Sequence, residues 1–419
     1  MKFLTRVIAL TILVTLPRVA LASNTWYVNG ASGSDSNHCL SAQAACKTIG
    51  HAISLAASGD SIIVAPATYT ENLTVSISLN VIGSGSSTTI IDGGVSCSTG
   101  APCDSVVTIS NASAHVTLSK LTISNGKASV GAGIKNSGTL TLSNSTVTRN
   151  SANIPCQRFF VFCEIRAGFA LGGGIFNSGV LIINNSTISG NHAGSYCNAT
   201  PCSAFGGGIY NEGTRMVIEN STLANSAGTA CSTSIPCRVG VGGAFYTSGA
   251  TVTLNNSTIT GSSAYRCSGT CSGTGGAIVN GSGNLAMNNS TVSGNPAGGI
   301  VNGGTATLQN SIIDNNAGIN CGGTITSHGY NLSSDGTCNF NRPGDLNNHD
   351  PMLGPLQNNG GPTQTMALLP GSPAIDGGNP SGCTDGQGQL LKTDQRGMPR
   401  PDKEDIVGCD IGAYERQSD

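Results

Sequence analysis

Acidic side chains, the groups most able to serve as acid and base in catalysis, are unevenly placed along this chain. No Asp occurs between Asp104 and Asp314, and that stretch contains only three Glu residues. Paired-carboxylate chemistry would therefore have to come from either end of the stretch. The candidates there are Asp92, Asp104, Asp314, Asp335, Asp345, His349 and Asp350.

Two of the central Glu residues lie close to a basic residue in the sequence. Glu212 and Glu219 are predicted on neighbouring faces of one repeat, with Arg215 nearby. A Glu at an outward strand position is usually a solvated side chain, so we assign no catalytic role to this group. His115 and His192 are likewise expected at the surface.

A second group of acids follows residue 370. Their oxygens are the ligands that calcium prefers, and a Cys383–Cys409 disulfide would draw their loops together. The sequence therefore allows a structural calcium ion, with solvated loop acids as the alternative. No catalytic, cofactor-binding or metal-ligand residue is assigned. The acids are Asp376, Asp385, Asp394, Asp402, Asp405 and Asp410.

The sixteen Cys residues fall in close pairs along the chain. An even number of closely paired Cys predicts sequential disulfides in an oxidising compartment. Zinc would need four converging ligands, and no His stands beside these pairs at zinc-finger spacing. The predicted pairs are Cys39–Cys46, Cys97–Cys103, Cys156–Cys163, Cys197–Cys202, Cys231–Cys237, Cys267–Cys271, Cys321–Cys338 and Cys383–Cys409.

A repeat, approximately G-G-G-I-x-N-x-G-x-L-x-L-x-N-S-T-I, occurs six times and must position all of these groups. The copies begin at Gly131, Gly172, Gly206, Gly242, Gly275 and Ala297. A short repeat of this kind is typical of a solenoid, in which each copy buries its apolar face against its neighbours. Alternating apolar positions predict three short strands and three corners in each copy, hence one coil of a parallel β-helix.

Four apolar columns run through the aligned copies and are predicted to face inward. They are Ile134, Ile175, Ile209, Phe245, Ile278 and Ile300; Leu140, Leu181, Met216, Val252, Leu285 and Ala306; Leu142, Ile183, Ile218, Leu254, Met287 and Leu308; and Val147, Ile188, Leu223, Ile259, Val292 and Ile313.

A polar column follows the apolar ones at the Asn of the Asn-Ser pair in each copy, which is followed by Thr in five of the six. Coils stack about 4.8 Å apart, so these amides are predicted to form a hydrogen-bonded ladder at a packed corner. N-S-T also spells a glycosylation acceptor, which we set aside because of that packing. The column is Asn144, Asn185, Asn220, Asn256, Asn289 and Asn310.

The spacing of the copies locates the insertions between coils. Successive copies start 41, 34, 36, 33 and 22 residues apart, and only the last interval lacks a Cys pair. The bare coil is therefore about 22 residues, and the extra residues enter at one corner. We expect a row of disulfide-closed loops along one edge, either as a binding surface or as protection against proteolysis.

The region before the repeats has the features of a cap. Apolar residues between Cys46 and Ala57 follow helical spacing, and Gly59-Asp60 ends that helix before a strand at Ser61 to Val64. Together with Trp26-Tyr27-Val28, this stretch resembles the N-terminal cap of the pectin-lyase-like superfamily. The repeats are similar to those of polymorphic outer-membrane proteins. The resemblance implies an all-β, right-handed parallel β-helix with an N-terminal capping helix and a C-terminal cap domain.

The last part of the chain carries a further set of motifs. Asn359-Gly360-Gly361-Pro362-Thr363, Thr393-Asp394-Gln395-Arg396-Gly397 and Asp410-Ile411-Gly412-Ala413-Tyr414-Glu415 resemble the choice-of-anchor Q domain. Members of that family usually continue into a surface-sorting tail, whereas only Arg416 to Asp419 follow here, which favours release. The predicted divisions are 1–22, 23–105, 106–349 and 350–419.

The first 22 residues resemble a secretory signal peptide. Lys2 and Arg6 precede an apolar run, and Ala20-Leu21-Ala22 is a typical cleavage site. No other segment has the 18 or so apolar residues of a membrane helix. The mature chain is therefore expected to begin at Ser23 and to be secreted, either free or at a cell surface, as a monomer.

The distribution of charged residues limits the ligands and activities that this chain can have. Residues 105–313 carry nine Lys and Arg and three Glu, too sparse a basic surface for nucleic acid. Lyases and hydrolases of the resembled fold use acidic clusters on the coils, which this chain lacks. We therefore expect a non-catalytic protein that binds an extracellular carbohydrate or a cell surface. The alternatives are a polysaccharide lyase or glycoside hydrolase built from the terminal acids, and ice binding by an outward Thr row. That row is Thr146, Thr187, Thr222, Thr258 and Thr291.

Overall fold

The computed structural model describes residues 23–94, 104–153, 157–159, 162–164, 169–197, 203–232, 240–266, 275–403 and 408–418. Within them the chain forms a right-handed parallel β-helix, and the predicted fold class is confirmed. The predicted signal peptide, residues 1–22, lies outside the described residues.

The largest sheet, which we call sheet A, contains two strands from nearly every coil. Its strands are Thr25–Val28, Ser61–Val64, Leu73–Val75, Leu79–Ile82, Val107–Ile109, His115–Ser119, Ile134–Asn136, Thr139–Ser143, Ile175–Asn177, Val180–Asn184, Ile209–Asn211, Arg215–Glu219, Phe245–Asn255, Ile278–Asn288, Ile300–Asn302, Thr305–Gln309, Cys321–Gly322 and Thr326–Ser327.

Three smaller parallel sheets complete the coils. Sheet B contains Ala67–Thr70, Thr89–Asp92, Thr122–Ser124, Thr146–Thr148, Thr187–Ser189, Thr222–Ala224, Thr258–Thr260, Thr291–Ser293, Ile312–Asp314, Leu332–Ser333 and Leu346–Asn347. Sheet C contains Lys127–Ala128, Ser151–Asn153, His192–Cys197, Ala227–Ser232 and Ser263–Arg266. Sheet D contains Phe169–Leu171, Ser203–Phe205 and Gly240–Val241.

Two antiparallel hairpins and two short helices lie outside these sheets. The hairpins pair Gln157–Phe159 with Phe162–Glu164 and Leu353–Gln357 with Thr365–Leu368, and a 3-10 turn covers Ala42–Ala44. The predicted capping helix is present at Ile49–Leu55.

The capping helix is held by polar groups of the resembled cap motifs. The Thr48 side chain accepts a hydrogen bond from the His51 amide, and the Glu71 carboxylate accepts from the amides of Ile49 and Gly50. These bonds satisfy donors that a helix N-terminus leaves free. Ile49 is fully buried in the main core, so the helix covers the first coil as predicted.

The core of the β-helix is one continuous apolar column. All four predicted inward columns are confirmed, with every member at most 2% exposed. Each coil buries its apolar side chains against the coils above and below, which is the main stabilising term of a solenoid.

The prediction of three strands in each coil is confirmed for the copies that begin at Gly242 and Ala297 but is wrong for those that begin at Gly131, Gly172 and Gly206, which have five. The coil that begins at residue 131 has strands at Ile134–Asn136, Thr139–Ser143, Thr146–Thr148, Ser151–Asn153 and Phe169–Leu171. Sheet A is bent between its two strands at Gly138, where an added Cβ would lie 2.6 Å from the Ala114 carbonyl oxygen. In this coil the G-x-L part of the repeat therefore forms a bend, whereas the strands Phe245–Asn255 and Ile278–Asn288 continue through the equivalent positions.

The predicted ladder of N-S-T amides is also wrong in its position. The six Asn residues have φ between 44° and 50°, the left-handed conformation that Asn tolerates better than most residues. Asn144 is exposed and donates only to the Ser143 hydroxyl, at 3.0 Å. Among the described amides of this column, only that of Asn310 donates to the side-chain oxygen of the preceding coil, that of Asn289, at 2.9 Å. The Asn therefore encodes the corner, and the packing argument does not hold for Asn144.

The buried ladders use other residues of the repeat. The Asn of G-I-x-N is fully buried, and Asn136 donates to Asn177 and Asn177 to Asn211, each at 2.6 Å. The Ser of N-S-T forms a second ladder, in which each Ser amide donates to the Ser hydroxyl of the next coil from Ser145 to Ser311. Both ladders satisfy polar groups that would otherwise be buried without partners.

The insertions between coils enter at one corner, as predicted. Each follows a sheet C strand and precedes a sheet D strand or the next Gly run, at residues 154–168, 198–202, 233–239 and 267–274. The predicted disulfides of these insertions, and the predicted pair Cys97–Cys103, lie outside the described residues and side chains. The pairs Cys39–Cys46, Cys321–Cys338 and Cys383–Cys409 are disulfide-bonded.

The C-terminal segment, residues 350–418, folds back along the outer side of sheet B. Asn256 and Asn289 donate to the carbonyls of Thr393 and Thr384, at 2.9 and 2.7 Å. Ile312 and Ile411 share a small buried cluster in the same contact. The corner Asn residues therefore bind main-chain carbonyls of the segment.

Gln395, in the Thr-Asp-Gln-Arg-Gly motif, lies at the centre of this contact and is fully buried. Its side-chain oxygen accepts from Thr258 at 2.6 Å, and its nitrogen donates to Thr222 and Thr363 at 2.9 Å. Thr222, Thr258 and Thr291 are at most 2% exposed. Ice binding by the outward Thr row is therefore wrong for these three residues, because the protein's own chain covers them.

Replacing Asn177 with Ala should destabilise the protein. The change leaves the buried Asn211 oxygen without its donor and the Asn136 amide without one acceptor, and a stranded buried group costs about 1–3 kcal/mol. We expect the free energy of unfolding in urea to fall by about 2 kcal/mol. Asn144→Gly is the control, since an exposed left-handed corner accepts Gly at little cost. Equal losses in both variants would contradict the ladder.

Replacing Gln395 with Ala should loosen the C-terminal segment. Three hydroxyls lose their buried partner, so the segment opens more often. We expect proteolytic cleavage within residues 350–418 to be about tenfold faster, measured by mass spectrometry. Gln389→Ala, at an exposed position of the same segment, should leave the rate unchanged. An unchanged rate in Gln395→Ala would show that the segment is held elsewhere.

Candidate functional site

An outward column on sheet A combines polar, basic and aromatic residues on consecutive coils. The strand register aligns the residue between Ile and Asn of each G-I-x-N sequence. The column is Thr74, Thr108, Lys135, Phe176, Tyr210, Tyr246, Val279 and Val301.

Three rings of this column stack on one another. Phe176 and Tyr210 have centroids 5.6 Å apart at 6°, and Tyr210 and Tyr246 are 5.4 Å apart at 13°. Phe176 is only 8% exposed, whereas Tyr210 and Tyr246 are half-buried, so the two tyrosines supply the accessible part of the stack. Gly281 makes room for this column, since an added Cβ would lie 2.7 Å from the Tyr246 hydroxyl.

Two further rings, from sheet D, flank the stack. Phe205 lies 5.0 Å from Tyr246 at 56° and 6.2 Å from Tyr210 at 65°. Phe169 lies 6.3 Å from Phe205 and is 59% exposed. These five residues, which we call the aromatic surface, include three of the nine Phe and two of the eight Tyr of the chain. They adjoin the corner where the inserted segments enter.

A carboxylate borders the aromatic surface. Glu212 is exposed and accepts a hydrogen bond from the Tyr210 hydroxyl. Burial, together with the charge of Glu212 and the neighbouring Tyr246, raises the pKa of Tyr210 to about 12. The surface therefore offers ring faces, ring edges and one carboxylate acceptor.

A polar depression continues the column beyond Phe176. It has a volume of about 430 Å³ and is lined by Lys135, Asp104, Asn72, Thr74 and Thr108, among others. The aromatic surface and this depression together span six consecutive coils from the strand Leu73–Val75 to Phe245–Asn255. An elongated ligand lying parallel to the axis would contact both.

Two of the sequence-predicted acids meet in a second groove at the last coils. Asp314 and Asp350 line a groove of about 760 Å³ with Ser334 and Asn348. Asp314 is only 9% exposed and accepts from the Ser293 hydroxyl at 2.9 Å. Burial, and to a lesser degree the charge of Asp350, raises the pKa of Asp314. The groove therefore brings together one buried and one exposed carboxyl group from distant parts of the chain.

The other candidate acids are structural acceptors or lie apart. Asp92 accepts from Asn125 at 2.7 Å, and Asp335 and Asp345 accept from nearby hydroxyls and amides. His349 is exposed, with Nδ1 2.8 Å from the Asn347 carbonyl oxygen. These four residues do not join the pair in the groove.

The central group of two Glu residues and one Arg is not a cluster. Arg215 and Glu219 occupy opposite ends of one strand, about 13 Å apart at the rise of extended chain. Glu212 instead borders the aromatic surface. His115 is exposed as expected, whereas His192 is half-buried and burial lowers its pKa.

The C-terminal acids mostly cap turns and bind cations of the chain. Asp394 pairs with Arg396 at 2.8 Å, and Asp385 accepts from the amides of Gln387 and Gln389. Asp410 accepts from the Asp376 amide, and Asp405 lies outside the described residues. In the described part of the chain, one group of three side chains has metal-ligand geometry, but two of its members are the bonded Cys39 and Cys46. Calcium binding stays a prediction.

Sequence reasoning missed the aromatic surface. The repeat was aligned on its shared residues, and the position between Ile and Asn was treated as variable because it holds Lys, Phe, Tyr and Val. Reading that position down the copies would have placed Phe176, Tyr210 and Tyr246 in one column. Phe169 and Phe205 lie before the Gly runs, where unequal insertions obscure the alignment.

The chain is similar to solved structures of other proteins. No family model and no curated protein matches the chain, so the choice-of-anchor Q resemblance of residues 350–419 stays a prediction. A pectin methylesterase from carrot is 11% identical, with a TM-score of 0.36, covering 68% of this chain and 84% of that one. A GH136 lacto-N-biosidase from Eubacterium ramulus is 12% identical, with a TM-score of 0.38, covering 74% and 64%.

A pectin methylesterase from Erwinia chrysanthemi is 15% identical, with a TM-score of 0.28, covering 68% of this chain and 81% of that one. Similarity at these levels does not assign an activity. None of the helices in the described residues is long and apolar enough to cross a membrane.

Proposed function

We propose that this protein is a secreted, carbohydrate-binding β-helix that holds an extended polysaccharide along sheet A. The aromatic surface is the observation that carries the proposal. Sugar rings have apolar C–H faces and polar rims, which suit exposed aromatic rings bordered by hydrogen-bonding groups. Phe169 and Phe205 offer ring faces, and the Tyr hydroxyls and Glu212 offer polar partners.

The arrangement also suits a polymer rather than a single sugar. The rings recur with the coil spacing, and the column continues to the depression that contains Lys135. A chain of sugars parallel to the axis would meet similar contacts at successive units. Lys135 would add attraction for an acidic polysaccharide, so acidic and neutral polymers are both worth testing. Disulfides fit the oxidising environment of such a ligand.

Removing exposed aromatic rings should weaken polysaccharide binding. We expect the protein to be retarded in gels that contain cellulose derivatives, xylan or polygalacturonate, and the Phe169→Ala and Phe205→Ala variants to bind at least about tenfold more weakly. Leu390→Ala is the matched control, because Leu390 is 60% exposed but lies in the C-terminal segment.

Binding that is equal in the aromatic variants and the control would contradict the proposed surface. Lack of retardation by every polymer would contradict the proposed function. Circular dichroism of each variant checks that the fold is retained, so a loss of binding is not confused with unfolding.

A second candidate function, glycoside hydrolysis, is favoured by the pair of acids in the groove. Asp314 would be the general acid, because burial raises its pKa, and Asp350, exposed at the same groove, would be the second carboxylate. The groove has the volume of a site for a small substrate. It lies at the last coils, apart from the strands that carry the aromatic surface.

Hydrolysis at the groove predicts that Asp314→Asn abolishes activity. We would measure reducing ends released from the polymers that the protein retains, and expect at least a hundredfold loss of rate. Glu219→Gln is the control acid, outside both the groove and the aromatic surface. Turnover that persists in Asp314→Asn would exclude this pair as the catalytic acids. If the unmodified protein binds the polymers but does not hydrolyse them, hydrolysis is excluded and the binding function stands.

A further inference from the structure

Two consecutive members of the Thr row on sheet B are open, although the protein's own chain contacts the equivalent Thr on the coil before them and on the coil after them. Thr122, one coil before the row, donates to the Ser86 carbonyl at 2.5 Å. Thr222 donates to the Gln364 carbonyl at 2.6 Å. Between them lie Thr146 and Thr187, in register with both. In the described part of the chain, no bond of their hydroxyls is found.

These two coils form a slot with defined walls. It has a volume of about 260 Å³, and Gly85 and Ser86 close one end while Pro362 closes the other. Thr122 and Thr222 are three coil spacings, about 14 Å, apart, and the two open coils take up about 10 Å of that distance. That length matches about three residues of extended chain.

The slot is lined by residues at the same positions of the repeat as those that bind the C-terminal segment on later coils. Asn256 and Asn289 donate to main-chain carbonyls, and the equivalent amides Asn144 and Asn185 line the slot. Lys120 adds a cation at the same wall. The slot therefore repeats, over two coils, a surface that already binds polypeptide.

We propose that the slot binds an extended polypeptide segment of another protein, through its main-chain carbonyls. Thr146 and Thr187 donate to two carbonyls, as Thr122 and Thr222 do, and the Asn185 amide donates to a third. Lys120 favours a segment with an acidic side chain. Because recognition of main-chain groups tolerates many sequences, the slot selects a segment by its extended conformation more than by its sequence. This surface is separate from the aromatic surface, which lies on sheet A.

A labelled peptide tests the slot directly. The probe is a fluorescent peptide with the sequence of residues 358–366, whose Gln364 carbonyl already accepts from Thr222 in the protein. We expect saturable binding by fluorescence anisotropy and about a fivefold weaker affinity for Thr187→Val, which removes one donor and keeps the shape. Thr148→Val is the control, because Thr148 lies on the strand of Thr146, next to that of Thr187, but does not line the slot.

Three outcomes would overturn the proposal. They are absence of saturable binding at millimolar peptide, equal affinity of the Thr187→Val and Thr148→Val variants, and displacement of the peptide by xylohexaose, which would make the slot a sugar site. The melting temperatures of both variants should stay within about 2 °C of that of the unmodified protein. A loss of binding is then due to the change in the slot and not to unfolding.

Discussion

The register between successive coils is the constraint on which the rest of this structure depends. Apolar contacts supply most of the stabilisation, but they do not fix one coil's position along the next, because Leu, Ile and Met pack in several ways. The buried ladders do fix it. Asn136, Asn177 and Asn211 satisfy one another only when equivalent residues are directly above each other, and the Ser ladder repeats this requirement at the next corner.

Once the register is fixed, each outward position of the repeat becomes a column on the surface. The position after Ile becomes the aromatic column with Phe176 and Tyr210, and the Thr of N-S-T becomes the row that the C-terminal segment contacts. Function on this fold is therefore a property of columns rather than of single residues. A polymer parallel to the axis and a polypeptide on the Thr row are the kinds of ligand that columns suit.

The sequence predicted the inward side of the coil better than the outward side. Leu142, Val147 and their equivalents are fixed by apolar periodicity, which is local, and the capping helix at Ile49–Leu55 follows from similar spacing. The role of Asn144 was not predictable from residue type, since an amide suits both a ladder and a left-handed corner. Neither the docking of Gln395 nor the meeting of Asp314 with Asp350 has a local signal, because both join distant parts of the chain.

Amide hydrogen exchange with and without a bound polysaccharide tests the central claim, that an outward column of sheet A is the binding surface. The account predicts added protection in Ile175–Asn177, Ile209–Asn211 and Phe245–Asn255, with no change in the strands around Asp314. Protection confined to Ile312–Asp314 and Leu353–Gln357, or spread evenly over the coils, would contradict it.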